Sequence, residues 1–143
     1  MLLIGHGSAR AAAAAATPRP HAERLRRTGL FGEVAAACLH GDPDPTAALA
    51  GLAGDPVYVV PLLMCDGYLA SAVLPRRLRL AGRVTRQAGP CGARRLIYCE
   101  PVGGNPGLIR MVANRAIGAC RRGRLAPSST AVLLIGHGSR RDA

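Results

Sequence analysis

A chain of 143 residues with 49% hydrophobic content and 3% aromatics is long enough for one ordinary domain with an aliphatic core, which excludes a disordered polymer. Its formal charge is +11, and every strongly basic side chain is arginine, whose planar fork suits carboxylates and phosphates. No apolar run is long enough to span a membrane, and the arginines lack interleaved stacking aromatics, which disfavours nucleic acid as the anionic partner.

Strand-length apolar runs alternate with helix-length segments along the chain. Met1 to Ile4 reads as the first strand, begun without a basic leader, so no signal peptide is expected. Glycines around His6 then make an accessible loop. Ala9 to about Thr28 reads as an interrupted helix, with Thr17 capping a restart and Pro18 at its first position. Glu33 to Leu39 is a second strand, and the cluster Gly41-Asp42-Pro43-Asp44-Pro45 is a turn into a short helix through Leu52. Val57 to Leu63 is the third strand. A helix is expected from about Ala70 to Ala81, then a Gly/Pro-rich connection through Gly92.

Leu96 to Cys99 reads as a fourth strand, and Pro106 to Arg122 as a long helix with Ile109, Val112, Ala113, Ala116 and Ile117 on one face. Arg124 to Thr130 is a linker, and Ala131 to Ile135 is expected to be a fifth strand. The alternation predicts α/β architecture with a parallel sheet covered on both faces.

One heptapeptide occurs twice. Leu2-Leu3-Ile4-Gly5-His6-Gly7-Ser8 returns as Leu133-Leu134-Ile135-Gly136-His137-Gly138-Ser139, 131 residues further on. This spacing suggests a duplicated domain of which the second copy has only begun. The expected organisation is a domain over 1–123, a linker over 124–130, and over 131–143 the first strand and Gly-His loop of a second repeat.

Ligands of open α/β sheets bind beyond the carboxyl ends of the strands, at the switch point in strand order. His6, His40 and the Cys65-Asp66-Gly67-Tyr68 loop should therefore share one rim, and His137 marks the equivalent place in the second repeat. An imidazole on a glycine-lined loop can ligate a metal or move a proton near neutral pH; the alternative is a turn histidine held by hydrogen bonds. His40 is as compatible with a solvated turn as with a ligand, and His21, among charged helix residues, reads as a surface group.

Asp66 and Tyr68 could bind substrate or relay protons, although Asp66 serves equally well as a helix cap. Cys65 could be a soft ligand or an inert thiol. Five cysteines without a C-x-x-C pair argue against a disulfide framework or zinc finger and for a reducing cytoplasm. Pro101-Val102-Gly103-Gly104-Asn105-Pro106 is a turn feeding a helix start, fit for an anion or for an ordinary cap. No Gly-x-Gly-x-x-Gly follows the first strand, so no nucleotide cofactor is expected. Ser8 lies too near His6 for a dyad, and a histidine phosphatase is disfavoured because Gly5 stands where that chemistry needs an arginine.

Several of these motifs together resemble the sirohydrochlorin cobaltochelatase family. They are Leu-Leu-Ile-Gly-His-Gly-Ser, His21-Ala-Glu-Arg-Leu-Arg, Val59-Val60-Pro61-Leu62-Leu63-Met64, Asp66-Gly67-Tyr68 with Leu74-Pro75, and Pro101-Val102-Gly103-x-x-Pro106. The resemblance implies a flavodoxin-like, chelatase-like three-layer sandwich with a parallel sheet of four to five strands. It also implies insertion of a divalent metal, cobalt first and iron or nickel in relatives, into an anionic tetrapyrrole without ATP.

On that resemblance His6 is the catalytic histidine and, with His40, a metal ligand. Ser8, Arg10, Asp66, Gly67 and Tyr68 are substrate-binding. The family's second active-site histidine is replaced here, since Leu69 and Tyr68 occupy its place. Two similar halves face one cleft in longer members, so a homodimer or a further half is the expected partner.

Overall fold

In the computed structural model the described residues are 1–8 and 18–135. Contacts divide the chain into two compact units, Met1–Asn105 and Pro106–Ala143.

The first unit is built on a five-stranded sheet. Its strands are β1 (Leu2–Gly7), β2 (Ala35–His40), β3 (Val57–Pro61), β4 (Val84–Gly89) and β5 (Gly92–Tyr98), and its helices are α1 (Pro18–Thr28), α2 (Pro45–Ala50) and α3 (Leu74–Arg77). The order across the sheet is β2-β1-β3-β5-β4. The ladders β1–β2, β1–β3 and β3–β5 are parallel, as expected for an α/β fold with crossovers. The switch point lies between β1 and β3, as in flavodoxin-like sheets.

Period-two alternation divides the apolar residues of each strand between two faces. Leu2 and Ile4 of β1 join Leu39, Leu49, Val57, Val59, Leu74, Leu78 and Leu96 in the larger core cluster. Leu3 points the other way and packs with Ala22 of α1 and Val34. Each such aliphatic side chain taken from water contributes about 1.5–3 kcal/mol, so the larger cluster dominates the stability of this unit.

Local chemistry sets the helix ends. Asp44 caps α2, its Oδ1 accepting from the N–H groups of Thr46 at 2.7 Å and Ala47 at 3.4 Å, with Pro45 at the first helical position. At the other end of α2 the buried guanidinium of Arg94 donates to the carbonyls of Leu49, at 3.0 Å, and Leu52. Gly89, across the β4–β5 hairpin, leaves the space that Arg94 fills: a Cβ there would lie 2.7 Å from Arg94 Cδ.

Several sequence expectations are corrected. The connection before Gly92 holds strand β4, antiparallel to β5, which itself starts at Gly92 instead of Leu96. The helix expected over 70–81 is a π-helical turn over Leu69–Val73 followed by α3, which ends at Arg77; Arg79 then takes a φ of 54°. Asp66 does not cap this segment, because Tyr68 holds the cap position and makes no side-chain cap bond. Strand β1 runs through His6 to Gly7, so His6 belongs to a strand end and not to a loop beyond it.

In the second unit, α4 (Pro106–Gly123) ends in Arg121 and Arg122, cations at the negative end of the helix dipole. The strand expected over 131–135 is not formed. Val132, Leu133, Leu134 and Ile135 are 58–87% exposed, and a strand needs a neighbour to receive its hydrogen bonds. No helix among the described residues is long and apolar enough to cross a membrane.

Candidate functional site

The carboxyl ends of β1, β2, β3 and β5 lie along one rim of the sheet. Gly7 pairs in register with His40, which brings the ends of β1 and β2 level. Strand alternation by itself would send His6 to the face of Leu2 and Ile4, and His40 to the opposite one. Their ring centroids are nevertheless 5.1 Å apart, with planes tilted by 58°. Gly7 permits this approach. Its φ is +70°, and a Cβ there would fall 2.5 Å from the His40 carbonyl oxygen and 2.8 Å from Cys38 Cβ. A glycine is required on both counts.

His6 Nδ1 lies 2.8 Å from the carbonyl oxygen of Gly7. That oxygen can only accept, so the contact is a hydrogen bond in the tautomer that carries the proton on Nδ1, and Nε2 is the nitrogen the backbone does not hold. The arrangement is that of an imidazole whose far nitrogen is fixed by a backbone carbonyl while the near one is available to a metal or a proton. His6 and His40 are both exposed.

The loop after β3 occupies the next stretch of rim. It is tied down by Leu62 N–H donating to Ile4 O at 2.7 Å and Gly103 N–H donating to Leu63 O at 3.1 Å. Gly103 packs so tightly on the backbone of Met64 that no Cβ fits there. Beyond this anchor Met64 is 68% exposed and Tyr68 50%, a thioether and a phenol ring presented at the rim. Tyr98, from β5, donates its hydroxyl to the carbonyl of Ala70 at 2.7 Å and so braces the π-helical turn. Burial first, and then the negative charge of Asp66, push the Tyr98 phenol up to about 12, so it remains a neutral donor at ordinary pH.

The structure therefore joins His6 with His40 and sets Asp66, Gly67 and Tyr68 on the same rim. It does not gather a complete ligand set: among the described residues no group of three or more His, Cys, Asp or Glu side chains is placed to hold a metal ion. Asp66 thus does not complete a trio with the two histidines. Cys38 and Cys99 are pushed above the ordinary thiol range mainly by burial, and the five cysteines form no disulfide. Ser8 follows His6 and is half-buried. Arg10 and His137 fall outside the described residues.

Two residues at this rim escape sequence reasoning. Gly103 lies in a turn that reads as a simple helix lead-in, and Arg77, whose contacts reach β2, is one arginine among many. Only the long-range contacts of each reveal its place.

Comparison with known proteins agrees with this fold. The CbiX family model matches residues 1–119. A probable sirohydrochlorin cobaltochelatase of Halobacterium salinarum is 30% identical over 156 aligned positions, which take in 99% of this chain and 53% of that protein. The crystal structure of DR2241 from Deinococcus radiodurans is a multi-domain protein with structural similarity to chelatases and two additional novel domains. It matches with a TM-score of 0.64 and 33% identity, over 90% of this chain and 29% of that one. The chain thus spans about half the length of the curated relative it matches.

Proposed function

This chain belongs to the CbiX family, and we propose that it inserts a divalent metal ion, cobalt in the first place, into sirohydrochlorin or a related tetrapyrrole without a nucleotide. The reading is carried by the imidazole pair, two rings with centroids 5.1 Å apart at the open end of a parallel sheet. Insertion needs groups that hold the incoming ion and a base that accepts pyrrole protons as the ion replaces them. Neutral imidazole suits cobalt, nickel and iron, and it can accept a proton. His6, whose Nδ1 is held by the Gly7 carbonyl while Nε2 is not, takes the catalytic role; His40 is the second ligand.

Ser8, Arg10, Asp66, Gly67 and Tyr68 are assigned to substrate binding. The tetrapyrrole's carboxylates would meet a chain of net charge +11, which favours encounter with an anionic macrocycle. Five cysteines without a disulfide suit a reducing, cytoplasmic setting.

A second reading has its own observation. The described residues supply no third ligand beside the two histidines, and two imidazoles alone hold a divalent ion weakly. The chain is then one half of a site, binding metal or tetrapyrrole and completed by a second copy or a second repeat opened by His137.

The test is the absorbance of sirohydrochlorin mixed with Co²⁺, with and without the protein. The first reading expects faster metallation, lost in His6→Ala while the circular dichroism is unchanged. Undiminished acceleration in that variant overturns it. Spectral binding without acceleration supports the second reading, and light scattering then reports whether copies associate.

A further inference from the structure

Strand β2 stands at the margin of the sheet, with β1 as its single neighbour. Its outward N–H at Cys38 needs a partner from elsewhere. Cys38 N–H donates to Pro43 O at 2.9 Å, folding the turn after His40 back on the strand. The carbonyl of Leu39, the residue immediately before His40, accepts from Arg77 Nη1 at 2.8 Å.

The same guanidinium does a second thing. Its Nη2 forms an ion pair with Asp44 Oδ2, while Asp44 Oδ1 caps α2. One arginine therefore grips the chain on both sides of the 40–43 turn, at Leu39 and at Asp44. The arginine itself is well anchored: on either side of it Leu74 and Leu78 are 0% and 2% exposed in the larger core. A guanidinium fits this task because its nitrogens diverge in a rigid plane toward two acceptors, whereas an ammonium is a point charge on a flexible stem.

We infer that Arg77 is a positioning residue that sets where His40 presents its imidazole to His6. The inference rests on the reading that these two histidines take up the metal. Groups that orient metal ligands typically change affinity by about 10–100-fold when removed. Arg77 orients the ligand through the backbone of the preceding residue, so the lower end of that range is expected.

The experiment titrates Co²⁺ into the full chain, following the visible absorption of the bound ion, for the parent protein, Arg77→Met, Arg77→Lys and Asp44→Asn. Arg77→Met should weaken Co²⁺ binding about tenfold. Arg77→Lys should restore part of the loss, and Asp44→Asn, which keeps the Leu39 bond, should lose less than Arg77→Met. The His40 ring proton signals should shift in Arg77→Met without a change of backbone fold.

If Arg77→Met does not fold, the Lys and Asn variants carry the comparison. Parent-like Co²⁺ affinity in the folded variants, with only the melting temperature lowered, overturns the inference and leaves Arg77 a structural brace. Parent protein whose Co²⁺ binding survives His6→Ala and His40→Ala overturns the underlying metal reading instead.

Discussion

Gly7 and His40 stand opposite one another on adjacent strands, so close that a Cβ on residue 7 would meet the carbonyl oxygen of residue 40 at 2.5 Å. The imidazole pair thus depends on an atom that is missing from the sequence. Gly7→Ala must pay for a left-handed backbone and also push β2 away. It should destabilise the protein by about 2 kcal/mol or more and weaken any binding that needs both rings. Urea denaturation with unchanged stability would show that the contact is relaxed in solution.

Gly103 makes the equivalent argument on the other side of the rim. Its Cα sits where a Cβ would run into the Met64 backbone, so Gly103→Ala must part the 101–105 turn from the loop after β3. Losing the Gly103-to-Leu63 hydrogen bond and the packing around it should cost about 1–3 kcal/mol. Hydrogen exchange should speed up over residues 63–68 ahead of the rest of the sheet. Unchanged exchange there would count against the anchor.

Arg94 is 5% exposed and has no carboxylate among its hydrogen-bond partners. Its charge is matched instead by the carbonyls at the end of α2, where the helix dipole is negative. Among the described residues its Nε makes no hydrogen bond, so the arginine is held by its two terminal nitrogens. Arg94→Met should destabilise by about 2–3 kcal/mol, the cost of leaving those buried carbonyls unpaired. Thermal melting with no loss would mean that water replaces the guanidinium without cost.

Acid should weaken the same region through Asp44. Burial is the largest single influence on this carboxyl and pushes it up. The Thr46 N–H, the Arg77 guanidinium and the Ala47 N–H together outweigh that and hold it below the ordinary carboxylate range. A folded value below the unfolded one means that the contribution is present above about pH 4 and is lost as pH falls through the folded value. Asp44 is partly exposed, so solvent keeps the effect small. Stability measured from pH 6 downward should fall less steeply in Asp44→Asn; identical slopes would remove Asp44 from the account.

The three strands nearest the site were legible because each is a short apolar run bounded by turn residues, and burial on both faces needs no more. Strand β4 was not. Its residues Val84-Thr85-Arg86-Gln87-Ala88-Gly89 alternate weakly, and only Thr85 is buried, as suits a strand at the margin of a sheet. The opposite error occurs at 131–135, where Leu133-Leu134-Ile135, identical to the start of β1, stays irregular. Apolar pattern specifies what a strand would bury, not whether neighbours exist to pair with it.

At the rim, the chain order of His6, His40 and the Asp66 loop is enough to put each at or after the end of a parallel strand, since parallel strands deliver their carboxyl ends to one side. The meeting of the two rings was not legible, because strand alternation assigns them to opposite faces. Arg77 was invisible for a different reason: its partner at Leu39 is a backbone oxygen, which any residue type would supply.

The doubled heptapeptide has a kinetic meaning as well. The slot between β2 and β3 admits Leu2-Leu3-Ile4, and nothing in its walls can distinguish those side chains from Leu133-Leu134-Ile135. Being identical, the two stretches are expected to compete for one berth during folding. The first copy wins on proximity, because the second must close a loop to β2 that is roughly three times longer, a handicap of only about 1 kcal/mol. A small fraction of refolding chains should therefore thread the wrong copy first and fold slowly, and altering Leu134 alone should abolish that slow phase.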